Sequence, residues 1–89
     1  MCGISGIVRL QEGNTSDILR MNSVIRHRGP DDEGFLLLDN PGELHIMGGD
    51  DTTREAWGSD FGYAPKSRIR ENSDRPYVMA LGHRRLSIL

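Results

Sequence analysis

The sequence predicts a mixed α+β fold, and three observations carry that reading. Apolar residues near the start fall at strand spacing, residues 16–26 repeat at helical spacing, and two later apolar runs are separated by Asn-Pro-Gly. Residues 77–89 return to strand-like composition. With 89 residues, 36% hydrophobic and 27% charged, the chain makes at most one small domain. A chain of this size buries only about 60% of the surface its unfolded form exposes, so the core is modest.

Ile4, Gly6, Val8 and Leu10 share one face of an extended segment and Ile7 lies on the other, which predicts a strand over residues 3–10 buried on both sides. Gln11 to Asn14 turns the chain, and Asn14 or Thr15 is placed to cap the next element, with Asp17 in its first turn. Ile18, Met21 and Ile25, flanked by Leu19 and Val24, predict an amphipathic helix over 16–26. The stretch RHRGPDDEG ends it, because the position before proline disfavours helical angles. Residues 34–39 and 43–47 predict two strands joined as a hairpin.

Residues 48–76 scatter their apolar side chains among turn formers and charges and read as a long loop, pinned by Trp57, Phe61 and Tyr63. A structureless connection of that length either counts against the loop assignment or marks a functional or mobile insertion. YVMALGHRRLSIL predicts a last strand that ends without cap or polar tail, so the expectation is a fragment of a longer chain.

Composition narrows the function classes. Neither a basic segment leading an apolar stretch nor a run near the ~20 apolar residues of a membrane span occurs, so a reducing, cytoplasmic setting is expected. The formal net charge of −2 provides no overall attraction to nucleic acid or an anionic membrane. A lone cysteine forms no internal disulfide. His27, His45 and His83 lack metal-ligand spacing with it, and no phosphate-cradling glycine motif is present.

The lone cysteine stands at position 2, in MCGISGIV. It is either a small buried hydrophobe or, once Met1 is removed, a terminal residue that carries a thiol and an α-amine of ordinary pKa about 8 together. That amine, directly or through water, can take the thiol proton. Arg26, His27 and Arg28 are either capping partners at a helix end, with Asp31, Asp32 and Glu33 solvated, or they bring near the thiol an arginine that favours thiolate and helps hold a carboxylate or a neighbouring loop. His83, Arg84 and Arg85 read either as a charged, solvent-facing edge or as a strand whose alternation aims one arginine inward, where its fork can grip a carboxylate.

Together and in order, MCGISGIV, IRHRGPDDEGF and ALGHRRLSI resemble the glutaminase domain of glutamine-hydrolysing asparagine synthetases, class II glutamine amidotransferases of the N-terminal-nucleophile hydrolase superfamily. The resemblance covers residues 2–39 and 77–89 and assigns 2–89 to the N-terminal part of that domain, with a looser insertion at about 48–76. It implies an αββα four-layer sandwich whose first strand carries the nucleophile.

By motif, Cys2 is the implied catalytic nucleophile and Arg85 the implied grip on the glutamine α-carboxylate. Arg28 and Gly29 would line the pocket, while His27 and Arg28 would contribute to the ammonia exit. The implied partners are L-glutamine and a C-terminal synthetase domain that uses ATP and Mg²⁺ to activate aspartate, with a homodimer left open and neither nucleic acid nor membrane expected. The family's Asn-Gly-Glu oxyanion segment and SGGxDS loop do not occur in these residues, so the chain alone is expected to be inactive and poorly folded. Two other readings stand beside this one: another class II amidotransferase, serving amino-sugar, purine, surface-polysaccharide or antibiotic synthesis, and a noncatalytic module.

Overall fold

The computed structural model describes residues 2–40, 42–62, 64–72 and 74–86, with backbone alone over 10–13. Strand β1 (Gly3–Gly13) leads through helix α1 (Ser16–Val24) and a 3₁₀ turn (Arg26–Arg28) into β2 (Asp32–Leu38). There follow β3 (Leu44–Gly48), the short helix α2 (Arg54–Trp57), β4 (Ser67–Arg68), a second 3₁₀ turn (Ile69–Asn72) and β5 (Tyr77–Arg85). The strands form one sheet in the order β1-β5-β2-β3-β4, antiparallel except for the parallel β3–β4 pair. The fold is thus α+β.

Register sorts the side chains into two faces. Gly3–Arg84–Glu33, Ser5–Gly82–Phe35–Met47 and Ile7–Ala80–Leu37–His45 form rows on the face toward α1. The hydrophobic core lies there: Ile18 of α1 packs with Phe35, Leu37, Met47, Ile69, Tyr77 and Ala80, and burial of each large side chain contributes roughly 1.5–3 kcal/mol. Ile4–His83–Gly34, Gly6–Leu81–Leu36–Ile46 and Val8–Met79–Leu38–Leu44 form rows on the other face.

That second face corrects the reading of the first strand. Ile4 and Val8 are 79% and 80% exposed, because β1 is an edge strand with α1 on one side and no described element over its other side. Single-sided burial replaces the double burial that the apolar run suggested.

Helix α1 starts where expected. The Asn14 side-chain oxygen accepts the Ser16 amide at 3.0 Å, whereas Thr15, at the N-cap position, is buried and donates its hydroxyl to the Asn72 carbonyl at 3.1 Å. The helix closes two residues early. Bonds from Arg28 N to Ile25 O and from Gly29 N to Arg26 O tighten the chain into a 3₁₀ turn before Pro30.

The hairpin of β2 and β3 forms in the expected place, with Gly42 at a φ of 118° that favours glycine. β2 begins at Asp32, earlier than residue 34, because Asp32 and Glu33 pair with Arg85 and Arg84 of β5.

The stretch 48–76 is not a structureless loop. It holds α2, β4 and the second 3₁₀ turn, and it buries Ala64 and Ile69. Thr53 caps α2 by accepting the Ala56 amide, and Trp57 lies against Gly48 and under the Arg68 guanidinium, 4.8 Å from the ring centre. Trp57 therefore pins the segment, whereas Phe61 is 62% exposed. Tyr63 and the expected strand positions 87–89 lie outside the described residues. Among the described residues, no helix is long and apolar enough to cross a membrane.

Candidate active site

Strand β5 brings the candidate residues to one end of the sheet. Alternation along it buries Arg84 on the α1 face and leaves Arg85, on the opposite face, half exposed. β5 is a central strand between β1 and β2, which corrects the reading of a charged, solvent-facing edge. Gly3, the first residue of β1, pairs with Arg84, which brings Cys2 and Arg85, the residues next to that pair, to the same end of the sheet. Cys2 is exposed. The thiol-bearing residue and the exposed arginine thus share one end of the sheet.

The 26–31 turn backs this end. Pro30 bridges to Arg85, and the Asp31 amide donates to the Arg85 carbonyl at 3.1 Å. Gly29 fits tightly: a Cβ there would run into the backbone of Arg84 and Arg85. Arg28 approaches Gly3 from the α1 side, next to the residue that follows Cys2. His27 is exposed.

Arg85 Nε lies 3.5 Å from the Asp32 carboxylate, whose other oxygen accepts the amides of Glu33 and Thr53. Asp32 therefore links Arg85 to the start of α2. The His83 ring lies across Gly34 on the same open face. From there a groove of about 930 Å³ runs along the sheet, floored by Leu36, Ile46 and Leu81 and walled by Ala56, Phe61 and Pro65.

A buried polar cluster stands behind the site, and the motifs did not indicate it. Arg84, 3% exposed, contacts Glu33 at 3.0 Å and Asp51 at 2.6 Å, and donates through Nε to the Asn22 carbonyl at 3.1 Å. Asn22 donates to the His83 carbonyl at 3.3 Å and accepts from Ser5, while Glu33 accepts the Asp51 amide at 2.7 Å. Arg84 first, and then Arg26, hold the Asp51 carboxyl below the usual carboxylate range. Glu33 is buried, so it is not among the solvated acids. The signal was Asn22 itself, a polar residue four positions after Ile18 on the face of α1 that packs inward.

At the other end of β2, Asp39, Glu43 and His45 bring one ligand atom each within 4.8 Å of one another. The Arg75 guanidinium lies 3.4 Å from both His45 ring nitrogens and supplies positive charge there. We assign no metal to this cluster.

Comparison with known proteins bears on the first end of the sheet. The sequence pattern of a glutamine amidotransferase domain matches residues 1–46, just over half of the chain, which takes in Cys2 and the 27–29 turn and stops before Arg85. The chain is 53% identical over 40 residues to a Methanocaldococcus jannaschii protein provisionally named asparagine synthetase (glutamine-hydrolyzing) 2, a stretch that is 44% of this chain and 8% of that relative. No solved structure matches. The chain belongs to the glutamine amidotransferase domain family.

Proposed function

We propose that the chain is the nucleophile-bearing part of a glutaminase that supplies ammonia to an asparagine synthetase. The observation that supports this is the pairing of Gly3 with Arg84, which brings the neighbouring Cys2, inside the family-matched segment, to the same end of the sheet as the exposed Arg85. Arg85 lies outside that match, so its role rests on register and on its place before Leu86-Ser87-Ile88.

In this reading Met1 is removed and the Cys2 amine takes the thiol proton. The thiolate attacks the side-chain amide carbon of glutamine, and the C–N bond breaks as the amine's proton passes to the departing nitrogen. Ammonia and a γ-glutamyl thioester result. Water, deprotonated by the same amine, then splits the thioester to glutamate and restores the thiol. Arg85 holds the substrate α-carboxylate, Arg28 and Gly29 back the pocket from behind Gly3 and the Arg84–Arg85 peptide, and His27 and Arg28 flank the ammonia exit.

The acceptor in this proposal is aspartate, activated with ATP and Mg²⁺ in a synthetase domain, and no group of the present residues is assigned to either. The proposal also carries the αββα sandwich, with a second sheet over Ile4, Val8 and Leu81. Cytoplasmic placement follows the chemistry of a free nucleophilic thiol.

The test is Cys2→Ala in the full-length protein, which removes glutamine-dependent synthesis and leaves ammonia-dependent synthesis intact. Glutamate release that survives the substitution refutes the assignment.

A further inference from the structure

We propose that Arg84 is a positioning residue for glutamine: its buried guanidinium locks the peptide that presents Arg85 to helix α1, β2 and the segment after β3. The inference rests on the glutaminase reading above and adds a residue which that reading does not use.

Each part of the guanidinium engages a different element. Nε donates to the Asn22 carbonyl in α1, Nη2 meets Glu33 in β2, and Nη1 meets Asp51 beyond β3. Asp51 also binds Arg26 at 2.8 Å, and Asn22 is bonded by Ser5 at 3.3 Å. The elements so joined are those that carry Cys2, the 26–29 turn and Arg85. Because neighbours on a strand face opposite ways, an immobile Arg84 side chain fixes the peptide from which Arg85 projects to the open face.

Stability alone does not account for such a group. Removing a guanidinium and a carboxylate from water is costly, and apolar replacement of a buried pair is often neutral or stabilising. What the charged cluster adds is direction, since a planar fork with fixed donors admits one arrangement of its three acceptors. Lysine keeps the charge and cannot reach all three.

The experiment uses full-length protein in three forms: parent, R84K and the charge-neutral pair R84M/E33Q. Glutamate release is measured against glutamine, with ammonia-dependent turnover and thermal melting alongside. Cys2 is labelled separately by iodoacetamide and by a glutamine analogue that has a diazoketone in place of the amide. In folded R84M/E33Q the glutamine KM is expected to rise about 10–100-fold and analogue labelling to slow to match, as expected when a remote change misplaces a binding group. Iodoacetamide labelling and ammonia-dependent turnover are expected to stay at the parent's level, with R84K between parent and pair.

A folded R84M/E33Q with the parent's KM overturns the proposal, as does equal loss of labelling by both reagents, which marks general collapse of the Cys2 end. Should the pair fail to fold, R84K decides, and an unchanged KM in R84K overturns it. A parent that releases no glutamate and shows no preference for the analogue refutes the glutaminase reading itself, and this inference with it.

Discussion

Arg84 and Arg85 adjoin in sequence, yet their side chains meet opposite environments, and substitution should separate them. Arg84→Ala leaves Glu33 buried without its ion partner, a loss of about 3–5 kcal/mol, whereas the half-exposed pair of Arg85 with Asp32 contributes at most about 1 kcal/mol. Chemical denaturation of the two single variants checks this, and equal destabilisation contradicts the assigned faces. For binding, Arg85→Ala should raise the glutamine KM by about 10–100-fold, the loss of one charge-assisted contact of about 1.5–3 kcal/mol, with ammonia-dependent turnover unchanged. Asp51 adds a pH test. Its carboxyl is held low by Arg84 and then Arg26, so the stabilisation is complete above the ordinary value of about 4 and is lost as pH falls through the lower folded value. Asp51→Asn should therefore flatten the acid limb of the stability profile below about pH 4, and an unchanged slope there counts against the cluster.

At the scale of elements, the turn at 26–31 and the end of β5 behave as one unit held by backbone contact. Gly29→Ala should cost about 1–3 kcal/mol, because the added methyl meets the main chain of Arg84 and Arg85, which does not swing aside as a flexible side chain would. A folded G29A with the parent's denaturation midpoint contradicts that packing. These contacts also explain what the sequence could reveal. The start of β1 and the positions of α1, the hairpin and β5 were legible because periodicity and turn chemistry are local signals, whereas β1 continues to Gly13 through residues whose composition read as a turn, because Gly13 still pairs with Tyr77 of β5. Burial was harder to read, since Ile4 and Val8 look like core residues until strand order places them on an edge strand's uncovered face. The span 48–76 misled for a related reason: α2 and β4 are only four and two residues long, too short for a period to show. Cys2 and Arg85 stood out by position and motif, whereas Glu33, Asp51 and Arg84 converge only once three separate elements meet.

For the whole molecule, the sheet has a covered face and an open one, and the candidate residues lie at one end of the open face. The proposed sandwich makes that face a buried interface in the full-length protein. Val8→Asp should then destabilise full-length protein by at least about 2 kcal/mol, the cost of an unpaired polar group taken out of water. On a face that stays in water the same change would fall within about 0.5 kcal/mol, and that result rejects the second sheet. The central claim is that the chain's start is the reagent, with thiol and base on one residue. Its most direct test is peptide mass spectrometry of full-length protein quenched in acid during glutamine turnover. The expected N-terminal peptide lacks Met1, begins at Cys2 and carries a γ-glutamyl thioester on that residue. Retained Met1 in protein that turns over glutamine, or a glutamyl adduct on any other residue, contradicts it.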